Sequence, residues 1–132
     1  MSYYTRFKGS VKAQDDIRWA AVKDTKYLTP HDGPGGEYHL FRADLETERV
    51  ETDDGLLERK YVRTFWPDSE PVNHAPDTFC LGEIEDIVAA FPDVEFEGEV
   101  YGQGETREDL WRVRVVGREV VLEKAKITWG AS

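Results

Sequence analysis

Carboxylates are the side chains whose number and spacing first suggest a function. No lysine or arginine occurs between Arg63 and Arg107, yet this interval contains eleven acidic residues. Exposed carboxylates at this density attract a basic partner and can present negative charge in the manner of nucleic-acid phosphates. Six of them, in a proline-rich segment and in the helix predicted after it, have no predicted basic neighbour. They form the candidate interaction surface: Asp68, Glu70, Asp77, Glu83, Glu85 and Asp86.

A second interpretation of the acidic stretch is solubility, because acidic surfaces keep small domains monomeric and in solution. Part of the stretch is also expected to be neutralised within the fold by cross-strand ion pairs. These pairs would join one predicted strand to the next two, with Glu95, Glu97 and Glu99 on the first and Arg112, Arg114, Lys124 and Lys126 on the others. For the six residues outside this ladder, both interpretations stay open.

Histidine and cysteine could bind a metal or take part in nucleophilic catalysis. His31, His39, His74 and Cys80 are scattered, with no HExxH or CxxC spacing and no GxSxG signature. Histidines in surface loops and a buried cysteine on a helix are the simpler expectation. We therefore predict no catalytic residue, no metal, no cofactor and no enzymatic activity.

Two further patterns could bind ligands. The GPGG run at 33–36 lacks the following Lys and Ser/Thr of a phosphate-binding loop and precedes a strand, so it predicts a turn. Aromatic residues beside cations near the N-terminus are typical of surfaces that bind single-stranded nucleic acid. The aromatic residues are Tyr3, Tyr4, Phe7 and Trp19, and the cations are Arg6, Lys8 and Lys12. Because the net charge of −10 opposes a polyanion, packing of these aromatic rings in the core is favoured.

Composition predicts a single folded domain. The 132 residues contain 39% hydrophobic residues and 16 aromatic rings of Trp, Tyr and Phe, which is enough to form a core. One cysteine and the absence of an apolar stretch in MSYYTRFKGS predict a cytoplasmic protein, and no apolar run approaches the ~20 residues of a membrane helix. The negative charge argues against direct binding of nucleic acid and favours a protein partner with a basic surface.

Periodicity predicts the elements. Residues alternate as in a strand from Tyr3 to Lys12, and Asp15 and Asp16 precede a short helix that ends near Asp24. TPHDGPGG (29–36) predicts a loop. Asp53-Asp54-Gly55 is typical of a hairpin turn between strands at 38–52 and 56–65. The segment from Trp66 to Pro76 contains three prolines, which indicate an irregular connection.

A second helix is predicted from Asp77 to Phe91, with one apolar stripe and a stop at Pro92. Alternation from Val94 to Tyr101, from Trp111 to Val115 and from Val121 to Trp129, with a tight turn at Gly117-Arg118, predicts a three-strand meander. The order is therefore βαββαβββ. This is an α+β fold in which two helices cover one face of an antiparallel sheet of five to six strands.

Several motifs in the C-terminal half resemble a pattern found in short actinobacterial and actinophage proteins of unknown function. They are Phe91-Pro92-Asp93, Phe96-x-Gly98, Gly104-Glu105, Asp109-Leu110-Trp111-Arg112 and Ile127-Thr128-Trp129, and Ile17-x-Trp19 fits as well. The resemblance implies no activity and no site residues. It implies a setting in which small acidic proteins bind and inhibit host machinery.

Three functional hypotheses follow. The first is a small acidic protein-binding module, such as an accessory or inhibitor protein that engages a basic and even nucleic-acid-binding host protein through the six carboxylates. The second is a small-molecule-binding or catalytic domain with a pocket near His39, His74 or Cys80, between sheet and helices. The third is a structural or oligomeric subunit that pairs through an apolar sheet face or an edge strand. The sequence leaves the oligomeric state open.

Overall fold

Strand β1 (Tyr4–Arg18) runs through the middle of the sheet and pairs with three other strands. The computed structural model describes residues 3–32, 38–106 and 109–125, which form seven strands and two α-helices. After β1 come α1 (Trp19–Val22), a short 3-10 helix (Lys26–Leu28), β2 (Phe41–Thr52), β3 (Gly55–Pro67), β4 (Val72–Asn73), α2 (Asp77–Ala90), β5 (Phe96–Gln103), β6 (Leu110–Gly117) and β7 (Glu119–Lys124).

The strands form one antiparallel sheet. Six of them follow the order β2-β3-β1-β5-β6-β7, and β4 pairs with the start of β1 at Tyr4 and Thr5. The predicted α+β class is confirmed. The predicted order βαββαβββ and the count of five to six strands are wrong, because the segment predicted as irregular contains β4. A strand of two residues is too short to show alternation in the sequence.

The boundary between β1 and α1 also differs from the prediction. β1 continues beyond Lys12 to Arg18, and the helix predicted after Asp16 and ending near Asp24 is reduced to Trp19–Val22. Pairing with β3 outweighs the local helix signal, because it buries Ile17 opposite Val62. Tertiary pairing of this kind routinely overrides local propensity.

Helix α2 forms as predicted and covers the sheet. Ile84, Ile87 and Val88 of its apolar stripe are buried, and the helix packs against β6 and β7. Val22 of α1 joins the same buried cluster, which has Phe65 at its centre. The ring of Phe65 lies 5.4 Å from Tyr27, 5.9 Å from Phe91 and 6.2 Å from Phe96, at angles typical of aromatic pairs.

The opposite face of the sheet faces solvent, and we call it the open face. Arg112 and Arg114 of β6 lie on it, whereas Trp111, Val113 and Val115 face the core. The two-residue turn at Gly117 and Arg118 forms as predicted and sets the register of β7, with Val116 opposite Glu119. The predicted end of the last strand, from residue 126 to Trp129, and the GPGG turn at 33–36 lie outside the described residues.

None of the helices in the described part of the chain has the length and apolar character needed to cross a membrane.

Candidate interaction surface

The six carboxylates of the candidate surface do not share one environment. Asp68 is half-buried and accepts hydrogen bonds from the Tyr38 hydroxyl (2.8 Å) and from the backbone N–H of Glu70 (3.0 Å). Burial, followed by the hydrogen bond to Asp68, raises the pKa of Tyr38. Asp68 therefore orders the loop after β3 and is committed to contacts within the fold.

Asp77 has a structural role at the start of α2. Its side chain is only 15% exposed, and one carboxylate oxygen lies 3.1 Å from the Lys124 ammonium of β7. The other oxygen accepts a hydrogen bond from the backbone N–H of Thr78 (2.8 Å), which satisfies one of the free donors of the first helical turn. The expectation that Asp77 lacks a basic neighbour is wrong.

Glu83 is buried, with 8% of the residue exposed. Its Oε1 accepts a hydrogen bond from the backbone N–H of Leu40 (2.8 Å), and its Oε2 lies 3.8 Å from the Lys26 ammonium. The expectation of no basic neighbour is wrong here as well. Glu83 lies three residues after Cys80 and four before Ile87. This helical spacing, from which its burial could have been predicted, puts Glu83 on the same side of α2 as these two buried residues.

Removal of the Glu83 carboxylate tests this structural role. Glu83→Ala should lower the free energy of unfolding by about 1–2 kcal/mol, because the buried N–H of Leu40 loses its acceptor. Glu83→Gln keeps an acceptor oxygen and should have a smaller effect. Urea unfolding followed by tryptophan fluorescence measures both changes. An alanine variant as stable as wild type would show that the carboxylate is not needed for packing.

The remaining three carboxylates, Glu70, Glu85 and Asp86, are exposed. None of them forms an ion pair with another residue that the structure describes. Asp86 lies close enough to Tyr27 to raise the pKa of that phenol, although burial of the ring is the larger cause. Glu85 and Asp86 lie on the outer side of α2, so half of the predicted surface remains available to a partner.

Of the predicted acid and base ladder, only the pair of Glu99 and Arg112 is confirmed among the described residues, and Glu123, which was not predicted, supplies the other acid. Glu99 lies 3.7 Å from Arg112, and Glu123 of β7 lies 3.1 Å from Arg112 and 3.0 Å from Arg114. The Arg112 guanidinium lowers the pKa of Glu123. Lys124 lies on the other face, opposite Trp111, and Lys126 lies outside the described residues.

The histidines and Cys80 do not form a site. His39 is buried with its Nε2 3.3 Å from the Thr29 carbonyl oxygen, whereas His74 is exposed. Burial, and then the charge of Glu83, raises the pKa of the Cys80 thiol, which keeps it protonated and unreactive. Across residues 3–32, 38–106 and 109–125, no three side chains of the metal-binding types are grouped.

The surface depressions are shallow and open. Four of them have volumes of about 270 to 590 Å³, and His74 lines one of 350 Å³ together with Asp68. Neither His39 nor Cys80 lines any of these four depressions. Of the three residues named in the pocket hypothesis, His39, His74 or Cys80, only His74 therefore lines one of these four depressions.

The N-terminal aromatic residues are mostly on the surface. Phe7 is buried and packs edge-on against Trp111 at 5.7 Å. Tyr3, Tyr4 and Trp19 are exposed, so the expectation that this group packs in the core is wrong for three of its four members.

A long exposed feature is a β-hairpin arm, which we define as residues 44–60, from β2 through the turn into β3. Every residue of the arm is exposed. β1 pairs with β3 only as far as Arg18 opposite Tyr61, and in the described part of the chain β2 and β3 continue beyond it as a two-stranded ribbon. A two-stranded ribbon buries neither face.

Aliphatic side chains on the arm are also exposed. Leu56 is 62% exposed and Leu57 is 58% exposed, and Leu45 and Val50 are exposed as well. Val50 lies directly opposite Leu57, so the two form one apolar contact on the surface of the ribbon. Exposed aliphatic residues grouped on a projecting element are typical of an interaction surface.

The base of the arm is anchored to β1. Asp16 lies 2.8 Å from Arg59 and 3.1 Å from Arg63, and the Lys60 ammonium lies 5.6 Å from the centre of the Trp19 ring. Sequence reasoning found the hairpin but missed its exposure. The available signal was the length of the strands, 12 and 13 residues against a typical five or six, together with charges at both even and odd positions.

Comparison with known proteins gives one match. A search of curated proteins and a search of solved structures each find no similar protein. The model of the Family of unknown function (DUF6205) matches residues 1–132, the full length of the sequence, and the chain therefore belongs to that family.

Proposed function

We propose that this protein is a non-enzymatic binding module whose acidic arm engages a basic surface on another protein. The observation that carries the proposal is the exposure of the whole arm, on which seven carboxylates accompany three cations. Two of the cations are already paired within the arm, Arg49 with Glu58 (3.5 Å) and Arg59 with Glu48 (2.8 Å).

The arm combines the two components of a protein interface. Carboxylates such as Glu46 and Glu51, which form no ion pair with another described residue, steer a cationic partner toward the arm by long-range attraction. The aliphatic pair of Val50 and Leu57 supplies apolar surface for the interface. Burial of such surface against a partner contributes about 25 cal/mol of binding free energy for each Å² removed from water. Glu70, Glu85 and Asp86 add negative charge on a separate part of the surface.

An accessory or inhibitory role is the biological setting that the resemblance to actinobacterial and actinophage proteins implies, and we propose the cytoplasm as its location on the composition of the sequence. A nucleic-acid-binding protein is one class of partner, because its basic surface is complementary to carboxylates in the way that it is to phosphates. The alternative of a pocket near His39, His74 or Cys80 has less support, since His39 and Cys80 are buried and already in contact with their own neighbours.

Two double variants with the same change in net charge test the proposal. Glu46→Lys with Glu51→Lys alters the arm, and Glu85→Lys with Asp86→Lys alters α2; none of the four residues forms an ion pair in the described part of the fold. In affinity purification from the native host followed by mass spectrometry, the arm variant should lose the basic proteins that wild type retains. The α2 variant should keep most of them.

Salt and folding provide the controls. Raising the ionic strength from about 0.15 M to about 1 M shortens the screening length from about 8 Å to about 3 Å, which should release a partner held by exposed charges. Circular dichroism should show that both variants stay folded. If the arm variant retains every protein that wild type retains, the arm is not the binding surface.

A further inference from the structure

Strand β2 is a free edge of the sheet. It has 12 residues, and in the described ranges it pairs only with β3, so its outer backbone N–H and C=O groups have no strand partner. Such a row of groups is a template on which another extended chain can form hydrogen bonds.

Most natural edge strands carry features that prevent pairing. They are short, or they contain proline, lysine or a bulge. β2 is long and has neither proline nor lysine from Phe41 to Thr52. The pairing of β2 with β3 contains one bulge, between Ala43 and Leu45. The extra residue of the bulge lies on β3, so β2 itself has no bulge that would prevent pairing at its outer edge. The other edge strand, β7, has six residues and ends at Lys124.

A second copy of the chain is a poor partner for this edge. Two β2 strands related by a two-fold axis place even-numbered residues only opposite even-numbered residues, because side chains alternate between the faces of the sheet. In the two registers that pair nearly the whole strand, Glu46 falls opposite Glu46 or opposite Glu48. Like charges directly opposite each other are destabilising.

A basic strand reverses these interactions. Lysine or arginine at every second position of an added strand would lie opposite Asp44, Glu46 and Glu48, and opposite charges across a strand pair are stabilising by about 0.2–1 kcal/mol each. The same acidic residues that disfavour pairing between two copies therefore favour a cationic segment. Backbone hydrogen bonds would supply affinity, and the carboxylates would supply specificity.

We propose that β2 binds an extended, lysine- or arginine-rich segment of a partner protein by adding it as an antiparallel or parallel strand at the edge of the sheet. The inference rests on the proposed function, since it names the partner chemistry and the mode of binding at the same arm. Strand addition requires free backbone N–H groups on the ligand, whereas electrostatic attraction alone does not.

A pair of synthetic peptides tests that requirement. The first has 12 residues, matching the length of β2, with lysine alternating with threonine. The second has the same sequence with alternate backbone amides N-methylated, which keeps every charge and removes the donors of one edge. In NMR titrations at low ionic strength, the first peptide should bind and slow amide exchange in β2. N-methylation should weaken binding by at least about tenfold, since several backbone hydrogen bonds of roughly 0.5–1.5 kcal/mol each are lost.

The arm variant, Glu46→Lys with Glu51→Lys, should no longer bind the unmodified peptide, and the α2 variant should still bind it. If both peptides bind wild type equally, the acidic arm still binds basic ligands but strand addition is wrong. If neither peptide binds, or if protection appears on α2, the inference is overturned. The affinity purification from the native host then tests the proposed function independently of the peptides. Peptide binding without any retained host protein would support the edge and contradict the proposed function.

Discussion

Replacement of Gly98 by alanine is expected to lower the free energy of unfolding by about 3–5 kcal/mol. Gly98 lies on β5 opposite Val11 of β1, with a φ of 140° that alanine rarely adopts. A methyl group at this position would overlap the Ser10 carbonyl oxygen of the neighbouring strand. Backbone strain and displacement of the central strand pair would both contribute. Urea unfolding, monitored by circular dichroism, measures the change.

Gly82→Ala is the matched control for this prediction. Gly82 lies in α2 at an ordinary helical φ, and a methyl group there would have no neighbour within 4 Å. The same substitution should therefore stabilise the protein by about 0.5–1 kcal/mol, because alanine loses less backbone entropy in a helix than glycine. If Gly98→Ala is tolerated as well as Gly82→Ala, the close approach of β1 and β5 is not required for folding.

Elements with a complete local period could be predicted from the sequence. α2 shows a full apolar stripe, and β5 alternates over its whole length, so their positions follow from one segment alone. The boundary of β1 could not be predicted in this way. Its second half is a strand because it pairs with β3. The residue types from Asp15 to Arg18 do not indicate that pairing, since it depends on a segment more than 40 residues away.

The face of a strand is a harder prediction than its presence. A shift of one residue exchanges the two faces. The sequence prediction placed Lys124 on the same face as Arg112 and Arg114, but the turn at Gly117 and Arg118 sets Lys124 opposite Trp111, which faces the core. Lys124 therefore points toward Asp77 and forms an ion pair with it. A shift of one residue in the strand thus explains why Asp77 is not available on the predicted surface.

The candidate surface was predicted from charge, and charge does not encode exposure. Glu83 and Glu85 look alike in the sequence, but the helical phase buries the first and exposes the second. The arm was harder to recognise because exposure of a hairpin depends on where neighbouring strands end. β1 stops pairing at Arg18, opposite Tyr61, and residues 47–60 of the hairpin continue beyond it without a third strand among the described residues.

Arg118 is the second residue whose loss should have a large effect on stability. It follows Gly117 in the β6–β7 turn, and its guanidinium donates hydrogen bonds to three carbonyl oxygens: Val88 (2.8 Å) in the last turn of α2, Phe91 (2.9 Å) directly after the helix and Val94 (2.7 Å) in the connection to β5. The last carbonyls of a helix have no partner within the helix, and a cation there also interacts favourably with the helix dipole. One side chain thus fixes the end of α2 and the segment that leads into β5 to the β6–β7 turn.

Arg118→Ala is expected to lower the free energy of unfolding by about 2–3 kcal/mol, because hydrogen bonds to a charged group contribute about 1.5–3 kcal/mol and water replaces part of the loss. Arg118→Lys should recover part of the stability, since an ammonium group keeps the charge but cannot reach three carbonyls with the planar geometry of guanidinium. Arg6→Ala, at an exposed arginine with no ion pair in the described ranges, should change stability by less than about 0.5 kcal/mol. Equal effects of Arg118→Ala and Arg6→Ala in urea unfolding would contradict the capping role, whereas faster amide exchange at the end of α2 in the Arg118→Ala variant alone would support it.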